Sequence, residues 1–395
     1  MRILLHDYGH HAFPLQLSRE LADRGHQILH LYAGSNPTPH DLLIRQESDP
    51  VNLNIKGIFI DEPLQKNSFV KRWQQEREYG RLVMAEVDKF NPDLVLSANT
   101  PLDPQATLLK KSKQLGIPFV FWLQDVTGLA TYLILKKKIP ILGILIGQYY
   151  IHLERKLLNQ SDRIILITED FLPLLDKWEI DQGKAVVIPN WAPIDEIPYQ
   201  SRDNQWAKDH DIIDKFCFMY TGTLGLKHNP YLLLELAVHY KDTPDVVVVV
   251  VSETIGARWL REKKEALLLE NLIILEFQPF DQMPYVLASA DVLVAILEED
   301  AGVFSVPSKV LTYLCSQRPL LLAVPAMNRA ARIVTESQSG IVVSSIETVA
   351  FTQAADELLR NPDECKRFGE NGRKYAEQNF NIQSITDQFE DLLFS

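Results

Sequence analysis

Short apolar runs recur along this chain, and stretches with helical spacing separate them. Runs that are apolar on both faces are what strands inside a parallel sheet require, and the helices between them carry the chain back over the sheet. In the first half the pattern predicts strands at Ile3–His6, Gln27–Tyr32, Asp93–Ser97, Pro118–Leu123, Arg163–Ile167 and Ala185–Ile188. Helices are predicted at Ala12–Arg24, Lys71–Phe90, Leu102–Leu115, Gly147–Leu158 and Glu169–Trp178, while residues 36–68 read as irregular loop with a short strand. The second half restarts the alternation. Strands are predicted at Phe216–Tyr220, Val246–Val251, Leu272–Leu275, Val292–Ala295, Leu320–Ala323 and Gly340–Val343. Helical patterns fall at Pro230–Tyr240, Ala257–Leu268, Met283–Ala288, Pro307–Cys315, Arg329–Glu336, Val349–Leu359, Pro362–Gln378 and Ile382–Leu393.

A chain of 395 residues exceeds one hydrophobic core. Residues 192–210 carry Pro193, Pro198 and a polar run, which makes them the linker. The expected organisation is an α/β chain of two doubly wound, Rossmann-like domains, 1–195 and 196–380. Residues 381–395, after the break at Asn379-Phe380-Asn381, form a helix expected to return to the first domain. Ligands of such sheets bind outside the carboxyl ends of the strands, so a cleft fed by loops of both domains is expected. The net charge of -12 and the lack of a basic stripe exclude a nucleic-acid partner. Cys217, Cys315 and Cys365 are far apart and match a reduced, cytoplasmic setting. The apolar start Arg2-Ile3-Leu4-Leu5 is too short for a signal peptide, and no apolar run is long enough to span a bilayer.

Four loops could carry chemistry. Met219 to His228 joins a strand to a helix through a turn holding Gly222, Thr223, Gly225 and Lys227, and backbone N–H groups beside a lysine suit a phosphate. An ordinary strand-to-helix turn is the competing reading. Asp7-Tyr8-Gly9-His10-His11 follows the first strand, but it lacks G-x-G-x-x-G, so a bound dinucleotide is not supported. Metal ligation by the two histidines has no supporting carboxylate cluster. Asp125 follows the apolar run Phe119–Leu123 and is read either as a cleft carboxylate or as a helix N-cap. The turn Pro307-Ser308-Lys309 opens a helix, with Pro307 in its first turn and Ser305, Ser308 and Thr312 sharing a face; Glu298, Glu299 and Asp300 lie upstream.

Lys136, Lys137 and Lys138 precede the branched apolar run that includes Ile141, Leu142 and Ile144, with Tyr149 and Tyr150 beyond. Basic residues beside a short apolar segment suit the interface of an anionic membrane. A buried helix with a charged entry is the alternative.

The order of these features resembles a known family. H-D-Y-G-H-H-A-F through L-A-D-R-G-H at 6–26, V-I-P-N-W at 187–191, T-G-T-L-G-L-K-H at 221–228, A-S-A-D-V at 288–292 and P-S-K-V-L-T-Y-L at 307–314 look like a GT-B glycosyltransferase of the retaining group 4. The likeness is greatest to the bacterial exopolysaccharide, colanic-acid-type branch. What it implies is a hexosyltransferase-type enzyme that moves a sugar with retention from a nucleotide-sugar donor to a lipid-linked or oligosaccharide acceptor. Segment 136–150 favours the lipid-linked acceptor and peripheral contact with the inner face of the plasma membrane, while the resemblance implies no metal and no cofactor, the nucleotide-sugar being a substrate. By position, Gly222, Thr223, Gly225, Lys227, Ser308 and Lys309 would hold the diphosphate, and Phe277, Gln278 and Thr312 the nucleoside. Asp125 and Lys227 would be catalytic, Glu298 and Glu299 would face the donor sugar or its loop, and Gly9, His10 and His11 would lie on the acceptor side. One departure stands out. The family commonly places two glutamates eight positions apart around the donor-contacting helix, where this chain has Phe304 and Thr312. A sugar-nucleotide 2-epimerase shares the architecture but has no use for segment 136–150, and a non-catalytic partner subunit is the third reading.

Overall fold

The computed structural model of the protein describes residues 1–9, 11–35, 45–62, 69–225, 228–301 and 306–393. The chain divides into two compact units, Met1–Asn190 joined by the residues from Ile382 onward, and Trp191–Asn381.

The first unit is built on β1 (Arg2–Asp7), β2 (Gln27–Ala33), β3 (Leu53–Ile58), β4 (Leu94–Ala98), β5 (Phe119–Leu123), β6 (Arg163–Leu166) and β7 (Ala185–Val187). Its helices are α1 (Ala12–Asp23), α2 (Phe69–Phe90), α3 (Leu102–Leu115), α4 (Thr127–Lys138), α5 (Pro140–Gln160) and α6 (Leu172–Lys177). The strands form one parallel sheet in the order β3-β2-β1-β4-β5-β6-β7. β4 and β5 are buried at every position, as apolar runs covered on both faces must be. Because β1 pairs with β2 on one side and β4 on the other, the connections leaving these strands part in opposite directions, and the gap opens at Asp7 and Ala98.

Two helices stand where the pattern gave one starting at Gly147. Pro140 lacks an N–H and disfavours helix in the residue before it, so α4 stops and Ile139 turns extended (φ -140°, ψ 79°) before α5 begins. The two helices pack as a hairpin with very close backbones: a Cβ on Gly143 would lie 2.2 Å from the Leu135 carbonyl oxygen. The predicted helix at Glu169–Trp178 is likewise a 3₁₀ turn, Glu169–Phe171, followed by α6.

The second unit carries β8 (Phe216–Thr221), β9 (Val246–Val251), β10 (Leu272–Leu275), β11 (Val292–Ile296), β12 (Leu320–Ala323) and β13 (Gly340–Val343), parallel in the order β10-β9-β8-β11-β12-β13. Around them lie α7 (Gln205–Asp209), α8 (Pro230–His239), α9 (Ile255–Leu267), α10 (Met283–Ala288), α11 (Lys309–Cys315), α12 (Arg329–Ser337), α13 (Thr348–Arg360) and α14 (Pro362–Asn379). Six consecutive buried valines make β9 the middle of the core. α11 starts at Lys309 with Ser308 as N-cap, so Pro307 precedes the first helical turn instead of lying within it. Its carbonyl accepts the Val310 N–H at 3.2 Å.

The last helix, α15 (Ile382–Leu393), belongs to the first unit. Its apolar stripe Ile382, Ile385, Phe389, Leu392 and Leu393 is buried. The Phe389 ring stands edge-on to Trp122 of β5 at 4.9 Å between centroids, and Arg24 Nη1 donates to Asp387 (2.6 Å) and Glu390 (2.5 Å). Exposed ion pairs contribute little beside a buried aromatic ring. Phe389→Ala is therefore expected to cost about 3–5 kcal/mol of unfolding free energy, measured as a lower urea midpoint by tryptophan fluorescence; an unchanged midpoint would show that the helix is not anchored through this ring.

Candidate functional site

At the carboxyl ends of β1, β4 and β5 the first unit holds a cavity of about 390 Å³, lined in part by Tyr8, Arg72, Trp73, Glu76, Asn99 and Asp125. One carboxylate shapes its rim. Asp7, fully buried, accepts the N–H of Gly9 (3.1 Å), the N–H of His11 (2.9 Å) and the side-chain amide of Asn99 (2.7 Å). Burial acts to raise this carboxyl, but the His11 and Asn99 contacts outweigh it and hold it down to about 2. Gly9 and His11 thus serve the turn itself, with the His11 ring 3.9 Å from the carboxylate. Below them His6 bonds Ser97 Oγ through Nδ1 (3.0 Å) and the Tyr79 hydroxyl through Nε2 (2.7 Å). Burial lowers its pKa to about 4, so this ring is neutral at pH 7.

Asp125 is half-buried on the cavity wall and is not an N-cap. The cap position is Val126, which has no side chain that could accept, and the Asp125 carbonyl accepts the Thr127 N–H at 3.0 Å. The capping group is Glu154 of α5, whose Oε1 accepts the Thr127 N–H and whose Oε2 accepts the Gly128 N–H, both at 2.9 Å. Sequence reading passed over Glu154. Its signal was its place on the buried stripe of α5, with Gly143, Gly147, Tyr150 and Leu157, where an apolar residue is the norm. Next to Asp125, the Gln124 and Asn190 side-chain amides pair reciprocally (3.1 and 2.5 Å), which gives the V-I-P-N-W asparagine a structural task. Elsewhere on the wall, Arg72 Nε donates to Glu76 (2.8 Å), and Asp103 accepts from Trp73 Nε1 (3.2 Å) and the Tyr150 hydroxyl (2.9 Å).

In the second unit the turn after β8 sits where strand order reverses between β8 and β11. Gly222 has φ +100°, a conformation that favours glycine. Lys309 reaches this turn from α11: its Nζ lies 3.5 Å above the Tyr220 ring centroid, and a Cβ on Gly222 would be 3.7 Å from Nζ. The Tyr313 hydroxyl of α11 accepts the Thr221 N–H at 2.9 Å. Gly222 and Lys309 are thereby brought together. Two expected amide donors are already in use, however. The Gly222 N–H donates to the Val251 carbonyl (2.9 Å) and the Gly225 N–H to His228 Nδ1 (3.0 Å), so these glycines supply shape and not free donors. Thr223 is exposed, and its carbonyl accepts the Tyr220 hydroxyl at 2.6 Å.

Ser308 and Thr312 are half-buried on the first turns of α11. Phe277 is fixed through its N–H to Glu253 Oε1 (2.8 Å), while Gln278 accepts from Trp206 Nε1 of α7 and donates to the Glu276 carbonyl, both at 3.1 Å. Glu298 and Glu299 are exposed, and Glu299 accepts from the Ser344 hydroxyl at 2.9 Å. His10, Lys227, Phe304 and Ser305 lie outside the described residues. Lys136, Lys137 and Lys138 end α4 in solvent, beside Ile141 (83% exposed), Leu142, Ile144 and Leu145 on the first turns of α5. No helix among the described residues is long and apolar enough to cross a membrane.

Burial pushes the Glu154 carboxyl from 4.5 up to about 8 against the pull of its two N–H donors, with Asp125 adding a smaller push. A carboxyl raised in the folded state binds a proton there that the unfolded chain has already released, so its contribution is full below pH 4.5 and is lost as pH rises through 8. Stability relative to Glu154→Gln should therefore fall between these limits, at up to about 1.4 kcal/mol per pH unit. Urea unfolding of both proteins across that range measures it, and parallel pH profiles would contradict it.

With the geometry in view, comparison with known proteins locates the chain. Residues 9–196 match the model of glycosyltransferase family 4, and residues 203–375 that of glycosyl transferases group 1. A probable glycosyltransferase, WbjE of Pseudomonas aeruginosa, is 24% identical over 234 residues, which are 58% of this chain and 57% of that relative. Anabaena Alr3699/HepE, solved in complex with UDP and glucose, superposes with a TM-score of 0.76 at 14% identity over the full length of both chains. Sucrose-phosphate synthase of Thermosynechococcus elongatus gives 0.75 at 15% identity, covering 100% of this chain and 98% of its own. The chain is a GT-B-fold protein, made of a glycosyltransferase family 4 domain followed by a group 1 glycosyl transferase domain.

Proposed function

We propose that this protein is a retaining glycosyltransferase that takes a sugar from a nucleotide-sugar donor and passes it to a lipid-linked saccharide in bacterial polysaccharide synthesis. The observation that carries the reading is the meeting of the left-handed Gly222 turn with the Lys309 ammonium at the strand-order reversal of the second unit. A cation at that place suits a diphosphate, and HepE, of the same fold, is solved with UDP and glucose. Lys309, with Lys227 and Ser308, would stabilise charge on the departing diphosphate, a role that needs no metal. Phe277, Gln278 and Thr312 would face the nucleoside, and Glu298 or Glu299 the donor sugar.

The acceptor belongs to the first unit in this reading. Its cavity presents aromatic walls and the Asp125 carboxylate, groups that suit a sugar ring and its hydroxyls. The α4–α5 hairpin ends in Lys136–Lys138 and solvent-facing Ile141, Leu142 and Leu145, which suits a peripheral site on an anionic bilayer at the cytoplasmic face.

Two experiments test this. UDP-, GDP- or dTDP-glucose is expected to raise the melting temperature, since a ligand that binds the folded state alone stabilises it. With the stabilising donor, nucleotide release should fall by roughly 10²–10⁴ in Asp125→Asn and lose about 2–4 kcal/mol of transition-state stabilisation in Lys309→Ala. Wild-type release in both variants would reject the assignment. For the membrane, cosedimentation with phosphatidylglycerol vesicles should weaken when Lys136, Lys137 and Lys138 are all changed to Glu; unchanged binding would remove the hairpin from the interface.

A further inference from the structure

We infer that Glu154 is a positioning residue for Asp125, holding from a separate helix the loop on which that carboxylate stands. The inference rests on the role proposed above for Asp125. Glu154 has no solvent exposure, and its two oxygens accept the N–H groups of Thr127 and Gly128, 27 and 26 residues away in the chain. Those groups begin α4, where a helix leaves its first N–H groups without internal partners. A helix that needed stability alone would meet the demand with a serine or aspartate at its N-cap, open to water and without a desolvation cost. Here the N-cap is Val126, fully buried, and the cap is a buried carboxyl on α5. Burying that group is unfavourable unless each oxygen is bonded. What it adds over a local cap is a fixed distance between the loop and α5.

That distance reaches Asp125 through two residues. The Thr127 N–H is shared between Glu154 Oε1 (2.9 Å) and the Asp125 carbonyl (3.0 Å), and Val126 between them is locked in the core. Gly128 makes the contact tight: a Cβ there would meet the Tyr150 carbonyl oxygen at 2.7 Å and Glu154 Oε2 at 2.8 Å. Small displacements of a reacting group are costly, so a fixed loop matters at this position more than at an ordinary helix start.

Glu154→Gln puts an amide nitrogen, which cannot accept, against one of the two N–H groups, whatever the protonation of the native side chain. Gly128→Ala displaces the same carboxyl from the opposite side. Each variant should be measured by amide hydrogen exchange at pH 7, by melting temperature, and by nucleotide release with the donor found in the melting screen. Exchange in peptides covering residues 125–130 should rise roughly tenfold, while β1 and β4 keep their wild-type protection. The kcat should fall roughly tenfold to a hundredfold, with donor KM changed by no more than about twofold. Unchanged exchange at 125–130, or exchange faster throughout the first unit, would overturn the inference and leave Glu154 an ordinary core group. So would a loosened loop with wild-type kcat where Asp125→Asn is inactive. If Asp125→Asn also keeps wild-type kcat, the failure lies with the catalytic role of Asp125, and the exchange result alone decides whether Glu154 fixes the loop. Should Glu154→Gln not fold, Gly128→Ala applies the same readings.

Discussion

A parallel sheet whose strand order reverses beside its first strand has a gap at that place, because the connections on either side leave in opposite directions. No neighbouring strand covers the gap, so side chains must hold its rim. Both units face this demand and meet it differently. In the first, a buried anion does the work: Asp7 gathers Gly9, His11 and Asn99. In the second, hydroxyls and backbone do it: Tyr313 holds Thr221, Tyr220 holds Thr223, and Thr254 accepts the Leu224 N–H at 2.9 Å. The choice sets the local charge. The first rim keeps the carboxylates of Asp7 and Asp125 at and behind its surface, while Glu76 there is paired with Arg72 at 2.8 Å, and the negative balance that remains disfavours a phosphate. Among the described residues the second has Lys309 as the charged group over its turn, and that environment favours one. The proposed division between sugar acceptor and donor diphosphate follows this difference in sign.

The strands were legible because burial on both faces leaves one kind of sequence, and Val246–Val251 is its extreme form. Motifs fixed the location of the turns equally well. What the sequence did not reveal was how the polar groups within those turns are used. Gly225 looked like a source of a free N–H, yet the imidazole three residues later takes that group, and nothing in G-L-K-H distinguishes an acceptor ring from a solvated one. Lys309 was legible as a cation near the turn, but its position over the Tyr220 ring depends on how α11 docks against β8. Helix α4 was missed for a physical reason. Thr127–Lys138 has no polar face along most of its length, and the capping candidate before it, Asp125, stands one residue short of the true N-cap, Val126, so the two signals by which a helix is recognised fail together. Its cap stands on another helix, beyond the reach of local pattern.

The same helix shows why site and surface have to be considered together. α4 begins at the loop that carries Asp125 and ends at Lys138, so the hairpin links the cavity wall to the exposed tip through one rigid element. Thr127, Thr131, Ile134 and Leu135 line the cavity from α4, and Lys138 continues that face one turn beyond Ile134. By helical rise, Lys138 lies about 16 Å from Thr127. An acceptor that reached from Asp125 toward a bilayer would pass along this face, with aromatic and apolar walls first and a cation last.

Magnitudes then decide what kind of membrane contact the tip could make. Burying Ile141, Leu142 and Leu145 would contribute about 1.5–3 kcal/mol each, and each lysine near an anionic surface about 1 kcal/mol. Taking the lower figures, because the side chains are already partly covered, the total is on the order of 8 kcal/mol, equivalent to a micromolar dissociation constant. Neither set suffices alone: the apolar side chains by themselves would hold the protein only in the millimolar range, and the lysines would hold it more weakly still. Binding of that strength is reversible and depends on both sets of residues at once. It is therefore sensitive to lipid charge, because screening or removing the anionic headgroups takes away the lysine share and leaves an apolar share too small to retain the protein.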